Sequence, residues 1–161
     1  MKKELYLILH DIRSAYNVGA ILRSADGAGV FKIFLTGYTP RPADQSKQFK
    51  TKADKMIEKT ALGAEKHVAW EYVEKLDDLL EKLKKENIFL AALEKTNDAL
   101  DIQKFEPVFP MALLLGNEVD GVSGEDLQKC GAVFSIPMRG QKESLNVSVA
   151  AGIAMYELLR Q

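Results

Sequence analysis

A single cysteine, Cys130, occurs in the 161 residues of this sequence, which excludes an internal disulfide and a cysteine-based zinc site. The longest apolar runs, such as residues 111–115, are far too short to cross a bilayer. The N-terminus leads into a strand pattern without a signal-peptide pattern, so we expect a cytoplasmic location. The formal net charge is −1, and the chain as a whole therefore lacks the basic excess of many nucleic-acid-binding proteins.

Several motifs of common enzyme classes are also missing from the sequence. No G-x-G-x-x-G follows a strand, and neither a Walker A motif nor a G-x-S-x-G nucleophile elbow is found. These absences disfavour a dinucleotide-binding dehydrogenase, a P-loop nucleotidase and a serine hydrolase of the α/β type. No His, Cys and Asp cluster has the spacing of metal ligands, so we expect no metal site.

The patterns that are present alternate between strands and helices. Apolar runs predict strands at residues 5–9, 32–36, 67–73, 88–93, 111–115 and 132–136. Helical patterns separate them at 54–62, around 76–83, after Ser123 and at 147–159. Asn17 is positioned to cap a further helix that ends near Gly29. The alternation predicts an α/β fold, with a mostly parallel sheet and helices on both faces, in one domain over residues 1–161.

Residues 41–59 concentrate positive charge. They contain six basic side chains and three acidic ones, and they overlap a long segment, 37–52, that has no periodicity. One interpretation is a solvated loop and helix. The other is a surface that follows the phosphates of a nucleic acid.

A polar stretch near the C-terminus is typical of a site rather than of a surface connection. It lies between the strand that ends before Pro137 and the apolar helix that starts at Val147. Ser144, Asn146 and Ser148 are small polar residues in this stretch, and Asn146 is a good helix cap. The free backbone amides at such a helix start can bind a ligand.

Three stretches in this chain resemble the motifs of one family. Residues 17–29 resemble the first motif, residues 113–121 the second, and residues 136–138 with 143–148 the third. They stand in the order found in the SpoU/TrmH family of RNA 2'-O-ribose methyltransferases, to which the chain is therefore similar. The resemblance implies S-adenosyl-L-methionine as methyl donor, RNA as substrate, a homodimer, and a C-terminal trefoil knot in which the last strand and helix thread a loop.

The resemblance also implies roles for individual residues. The expected catalytic residues are Arg23, Asn17, Glu118, Ser144 and Asn146. The methyl donor is expected to be held by Leu93, Gly116, Asn117, Ile136, Met138, Ser144 and Leu145. Expected RNA contacts are Arg13, Arg23, Arg139 and Lys142.

Ordinary structural roles remain open for the same residues. Asn17 and Asn146 can simply cap helices, Arg23 can be a surface charge, and Glu118 can be a solvated loop acid. The functional alternative for Glu118 is an acceptor for Arg23 or for the substrate. In the family the matching arginine is proposed as the base, but arginine is effectively never deprotonated in proteins, so a phosphate clamp is an equal alternative.

The class of RNA is open as well. Both tRNA and rRNA are candidate substrates, with tRNA slightly favoured because a compact dimer can read a stem-loop by itself. The alternative function is an RNA-binding module that keeps the fold and the donor pocket but does not catalyse.

Overall fold

The computed structural model describes residues 3–43 and 49–160. Its strands are β1 (Leu5–His10), β2 (Lys32–Thr36), β3 (Trp70–Val73), β4 (Phe89–Leu93), β5 (Leu100–Asp101), β6 (Met111–Leu115) and β7 (Ala132–Ser135). Its helices are α1 (Ala15–Ala28), α2 (Lys52–Ala61), α3 (Leu76–Lys85), α4 (Gly124–Gln128) and α5 (Val147–Leu159).

The seven strands form one sheet in the order β3-β2-β1-β6-β4-β7-β5, and every strand pair in it is parallel. β6 lies in the middle and all five of its residues are buried, as expected for a strand that is covered on both faces. The predicted α/β class is thus confirmed. The knot stays a prediction from the family resemblance. Among the described residues, no helix is long and apolar enough to span a membrane.

Helices cover both faces of the sheet, because successive side chains of each strand point to opposite sides. Leu7 of β1 packs on one face with α1, α2 and α5, whereas the adjacent Ile8 packs on the other face with α3. Leu79 and Leu83 of α3 are fully buried there. Because the helices cover the faces of the sheet, its edge at the strand ends is occupied by loops.

The cap of α1 differs from the prediction. Ser14, not Asn17, is the N-cap, and its hydroxyl accepts a hydrogen bond from the Asn17 backbone N–H. Asn17 lies in the first turn instead, which leaves its side chain available for other contacts. Gly29 ends the helix as predicted, in a left-handed conformation with φ 77°.

Two other boundaries were predicted wrongly. α2 starts before residue 54 because Thr51 and Asp54 form a reciprocal capping box, with the Thr51 N–H 2.7 Å from Asp54 Oδ2. β3 starts only at Trp70, because the backbone N–H groups of His67 and Val68 bond to Ala64 in a 3₁₀ turn rather than to the sheet. The two-residue β5 was not predicted, since it is too short for any periodicity. Part of the segment 41–59, residues 44–48, lies outside the described residues.

Candidate active site

A pocket of about 360 Å³ opens at the carboxyl ends of β4, β6 and β7. This size lies within the range of small-molecule sites, and the carboxyl ends of parallel strands are where α/β sheets bind ligands. All seven residues that the resemblance assigns to the methyl donor line the pocket, namely Leu93, Gly116, Asn117, Ile136, Met138, Ser144 and Leu145. Three of the five expected catalytic residues, Glu118, Ser144 and Asn146, line it too.

The carboxylate of Glu118 connects the segment after β6 to the start of α1. Its Oε2 accepts from the Arg13 N–H at 2.8 Å, and its Oε1 accepts from the Ser14 N–H at 3.2 Å. Partial burial raises the pKa of Glu118, but hydrogen bonds from Arg13, from the Asn17 side chain and from the Ser14 backbone outweigh it and hold the pKa below its ordinary value. Glu118 is therefore an anion fixed at a helix N-terminus, where negative charge is favourable.

A chain of hydrogen bonds continues from Glu118 across the mouth of the pocket. The Asn17 amide donates to Glu118 Oε1 at 2.9 Å, and Asn17 Oδ1 accepts from the Asn146 amide at 3.1 Å. Asn146 Oδ1 in turn accepts from the Ser148 hydroxyl at 2.6 Å and from its N–H at 2.8 Å. These hydrogen bonds join all three sequence motifs, with Asn17 from the first, Glu118 from the second, and Asn146 and Ser148 from the third. Because Asn146 also caps α5, they tie both helices to the pocket.

The segment after β6 is held closely against its surroundings. A Cβ on Gly116 would lie 2.4 Å from the carbonyl carbon and oxygen of Gly121, so no larger residue fits there. Asn117 Oδ1 accepts from the N–H groups of Val119 and Asp120, and its carbonyl accepts from the Gly121 N–H at 2.9 Å. Asn117 thus lines the pocket and also holds the segment after β6 in its conformation.

Arg23 does not line the pocket. It is exposed on α1, six residues beyond Asn17, which corresponds to about 9 Å of helix rise. Among the described residues it forms no hydrogen bond or ion pair, so the contact between Arg23 and Glu118, one of the alternatives that the sequence left open, is not made. Arg13, Arg139 and Lys142 are exposed around the pocket and do not line it either.

Glu94 lines the pocket but was not predicted. Its Oε2 accepts from the Val122 N–H at 2.8 Å, and its Oε1 accepts from the Lys95 N–H at 2.9 Å. The sequence did contain a signal that could have predicted Glu94 as a pocket residue. Glu94 follows directly after a predicted strand, and such positions meet at the carboxyl edge of a parallel sheet, where ligands bind. Within residues 3–43 and 49–160, no group of His, Cys, Asp or Glu side chains could hold a metal ion.

The parallel sheet and the pocket at its carboxyl edge define an α/β protein that binds a small ligand beside a fixed polar chain. The model of the SpoU rRNA Methylase family matches residues 4–156. The chain therefore belongs to the SpoU rRNA methylase family.

Similar proteins extend this finding. The 23S rRNA (guanosine-2'-O-)-methyltransferase RlmB of Salmonella typhi is 36% identical over 157 residues, which cover 96% of this chain and 59% of that protein. The chain thus spans about three fifths of the length of this curated relative.

Two solved structures are similar in fold. An AdoMet-bound rRNA methyltransferase from Sinorhizobium meliloti superposes with a TM-score of 0.85 and 25% identity, over 99% of this chain and 57% of that one. A structure concerned with the 2-OH methylation of C/U34 on tRNA has a TM-score of 0.81 and 25% identity, over 100% of this chain and 92% of that one.

Proposed function

We propose that this protein transfers a methyl group from S-adenosyl-L-methionine to the 2'-hydroxyl of a ribose in RNA. The observation that carries the proposal is the hydrogen-bonded chain from Glu118 to Ser148 at the mouth of a ligand-sized pocket. A cytoplasmic location belongs to the same proposal, since both the donor and the RNA are found there.

The lining of the pocket fits the methyl donor. Apolar side chains of Leu93, Ile136 and Leu145 suit the faces of an adenine ring, and backbone groups near Gly116 can bond to its edge. The carboxylates of Glu94 and Glu118 lie in the same lining, which suits a ligand with a positive sulfonium and an ammonium group. When bound, S-adenosyl-L-methionine supplies an electrophilic methyl group for an in-line displacement.

The polar chain would position the ribose. Glu118 is ionised and already accepts three hydrogen bonds, so its role is to orient Asn17 rather than to take a proton. Asn17 in turn orients Asn146, and Ser144 lies next to it in the pocket lining. Holding the 2'-hydroxyl in line with the methyl group lowers the barrier mainly by orientation.

Arg23 would grip a phosphate of the RNA. Its guanidinium has no partner among the described residues, and a guanidinium binds phosphate oxygens through two parallel hydrogen bonds. Since arginine keeps its proton in proteins, we assign it the role of a clamp and not of the base. The hydroxyl proton then leaves to phosphate or water.

The RNA is proposed to be ribosomal, because the curated relative methylates 23S rRNA. The curated relatives give no support to the preference for tRNA expected from the sequence. A tRNA substrate remains a second candidate because the similar structure concerned with tRNA is matched over 92% of its length, whereas RlmB is matched over 59%.

The basic helix α2 supports an RNA substrate of either class. Its two acidic side chains are engaged, since Asp54 caps the helix and Glu58 pairs with Lys50 at 2.6 Å. Three exposed lysines remain without an ion pair among the described residues: Lys52, Lys55 and Lys59. This local excess of positive charge favours the phosphate-binding interpretation of the segment over a merely solvated one.

Homodimerisation through α5 is part of the proposal. Val149, Ile153 and Tyr156 lie one helical turn apart and are 49%, 39% and 58% exposed, although the opposite side of α5 is buried. A second copy of this chain would cover the stripe. Ile153→Asp should then give a monomer by sedimentation velocity, with unchanged far-UV circular dichroism. A dimer that survives this substitution would contradict this interface.

The first experiment measures methyl transfer from labelled S-adenosyl-L-methionine to separate pools of unmodified rRNA and tRNA, with digestion to nucleosides. Label in a 2'-O-methyl nucleoside from the rRNA pool is expected. Arg23→Ala should reduce transfer at least a hundredfold while the affinity for the donor, measured by calorimetry, stays unchanged. Lys85→Ala, on the opposite face of the sheet, serves as a surface-charge control.

The outcomes separate the candidates. Label only in tRNA would replace the proposed substrate and keep the reaction. Donor binding without transfer to either pool would favour the catalytically silent RNA-binding module. A protein that binds no donor would overturn the proposed function.

A further inference from the structure

Tyr38 combines exposure with an unusually firm attachment. It lies in the turn after β2 and is 57% exposed. Its backbone N–H donates to Asp11 Oδ1 at 3.0 Å, and its hydroxyl accepts from the Asn117 amide. The preceding residue, Gly37, accepts from the Tyr72 hydroxyl at 2.9 Å. Tyr38 is thus held at its backbone and at its hydroxyl while it stays exposed, and a side chain that is already held loses less entropy when it binds a flat partner.

Tyr38 lies close to the mouth of the pocket. Asn117, which bonds to its hydroxyl, is one of the residues that line the pocket. The ends of β2, β1 and β6 are neighbours along the carboxyl edge of the sheet, since Thr36 pairs with His10 and Leu9 with Leu115. A polymer that enters the pocket from this side therefore passes over the Tyr38 ring.

Two exposed arginines lie in segments that neighbour Tyr38. Arg41, three residues after Tyr38, is exposed with its guanidinium 3.9 Å above the centre of the Tyr72 ring. Arg13 is exposed beside Glu118. Asp11, whose carboxylate accepts from the Tyr38 N–H, also lies 3.4 Å from His10 Nε2. Neither arginine forms an ion pair with any residue that the structure describes. An exposed aromatic ring with such arginines in neighbouring segments matches the bases and phosphates of single-stranded RNA.

We propose that Tyr38 is a stacking platform for a base that flanks the methylated nucleotide, with Arg41 and Arg13 near the adjoining phosphates. The inference rests on the proposed function, because it places the RNA strand next to the same pocket. Stacking on an aromatic ring tolerates any base, so Tyr38 would contribute affinity and strand direction rather than sequence choice. It would also require the flanking nucleotide to be unpaired.

The test compares two substitutions at this one position. Tyr38→Leu removes the ring, and Tyr38→Phe keeps the ring but removes the hydroxyl that bonds to Asn117. RNA affinity is measured by fluorescence anisotropy with a labelled ten-nucleotide single-stranded RNA, and donor affinity by calorimetry. Loss of one stacked base should weaken RNA binding of Tyr38→Leu on the order of 5- to 150-fold. Tyr38→Phe should stay within about twofold of the wild type, and neither variant should change donor affinity.

Each other outcome overturns the inference in a recognisable way. If Tyr38→Leu binds RNA like the wild type, the ring does not stack, while the proposed function is untouched. If Tyr38→Phe loses as much as Tyr38→Leu, the hydroxyl contact to Asn117 is what matters. If both variants lose donor affinity, Tyr38 supports the pocket and not the RNA. A wild-type protein that binds no RNA overturns this inference and the proposed function together.

Discussion

The two walls of the pocket are built differently. The segment 116–122 after β6 is closely bonded to itself and to its neighbours, through Asn117, Glu118 and the N–H of Val122. The segment 137–146 after β7 has eight consecutive exposed residues, 139–146. For residues 139–145, the described part of the chain offers one ion pair, between Glu143 and Lys95 at 3.5 Å.

This difference indicates that the wall after β6 is formed before a ligand binds, whereas the wall after β7 is completed on binding. The wall after β6 has its polar groups satisfied within the protein, so it can present fixed donors and acceptors to a ligand. The wall after β7 contributes Ser144, Leu145 and Asn146. Of these three, Asn146 alone has a side-chain hydrogen bond to another element within the described part of the chain. We expect the ordering of this second wall to accompany the binding of donor, RNA or a second copy.

The largest expected effect comes from replacing one glycine in each wall by alanine and comparing the stability of the two variants. Gly116→Ala forces a methyl group against the Gly121 backbone and should destabilise the protein by about 1–3 kcal/mol and abolish donor binding. In Gly140→Ala the added methyl group has no atom of the described residues within 4 Å, and stability should change by less than about 0.5 kcal/mol. Urea denaturation of both variants measures this. Equal losses of stability would mean that the second wall is as tightly packed as the first.

An intermediate effect is expected for Leu145, which lies in the second wall and is 37% exposed. If the wall closes over the donor, Leu145→Ala should weaken donor binding about 3- to 10-fold, because part of the apolar side chain is buried only in the complex. Its urea midpoint without donor should match that of the wild type. A lowered midpoint with unchanged donor affinity would show instead that Leu145 packs in the free protein.

The smallest effect concerns Glu118, which joins the first wall to α1. Its pKa is lowered in the folded state, so its charge stabilises the fold above the unfolded pKa of about 4.3, and this contribution is lost as the pH falls through the folded value. Glu118→Gln should therefore cost roughly 0.3–1 kcal/mol at pH 7, and less below pH 4. Urea denaturation at both pH values checks this. A cost that does not change with pH would assign the stabilisation to hydrogen bonding alone.

The sequence predicted the pocket better than it predicted the contacts around it. Seven residues are assigned to the methyl donor by the resemblance, and all of them line the pocket. Six lie within the sequence motifs, and Leu93 lies at the end of a predicted strand. Glu94 was missed because its partner, the N–H of Val122, comes from a distant segment. The helical pattern could not predict whether Arg23 is exposed, because its side chain points between the apolar and the polar face of α1. The helix cap was assigned to Asn17 rather than Ser14 because both residue types suit that role.

The sequence by itself determined the alternation of strands and helices, the last residue boundary of α1 at Gly29, the start of α5 after Asn146, and the family. These features depend on residues close together in the chain, where periodicity, capping and backbone preference act directly. The tertiary structure alone decided that Asn17 would meet Glu118, 101 residues away, and Asn146, 129 residues away. That meeting depends on the order of the strands in the sheet, which places the ends of β1 and β6 side by side and which no local pattern specifies.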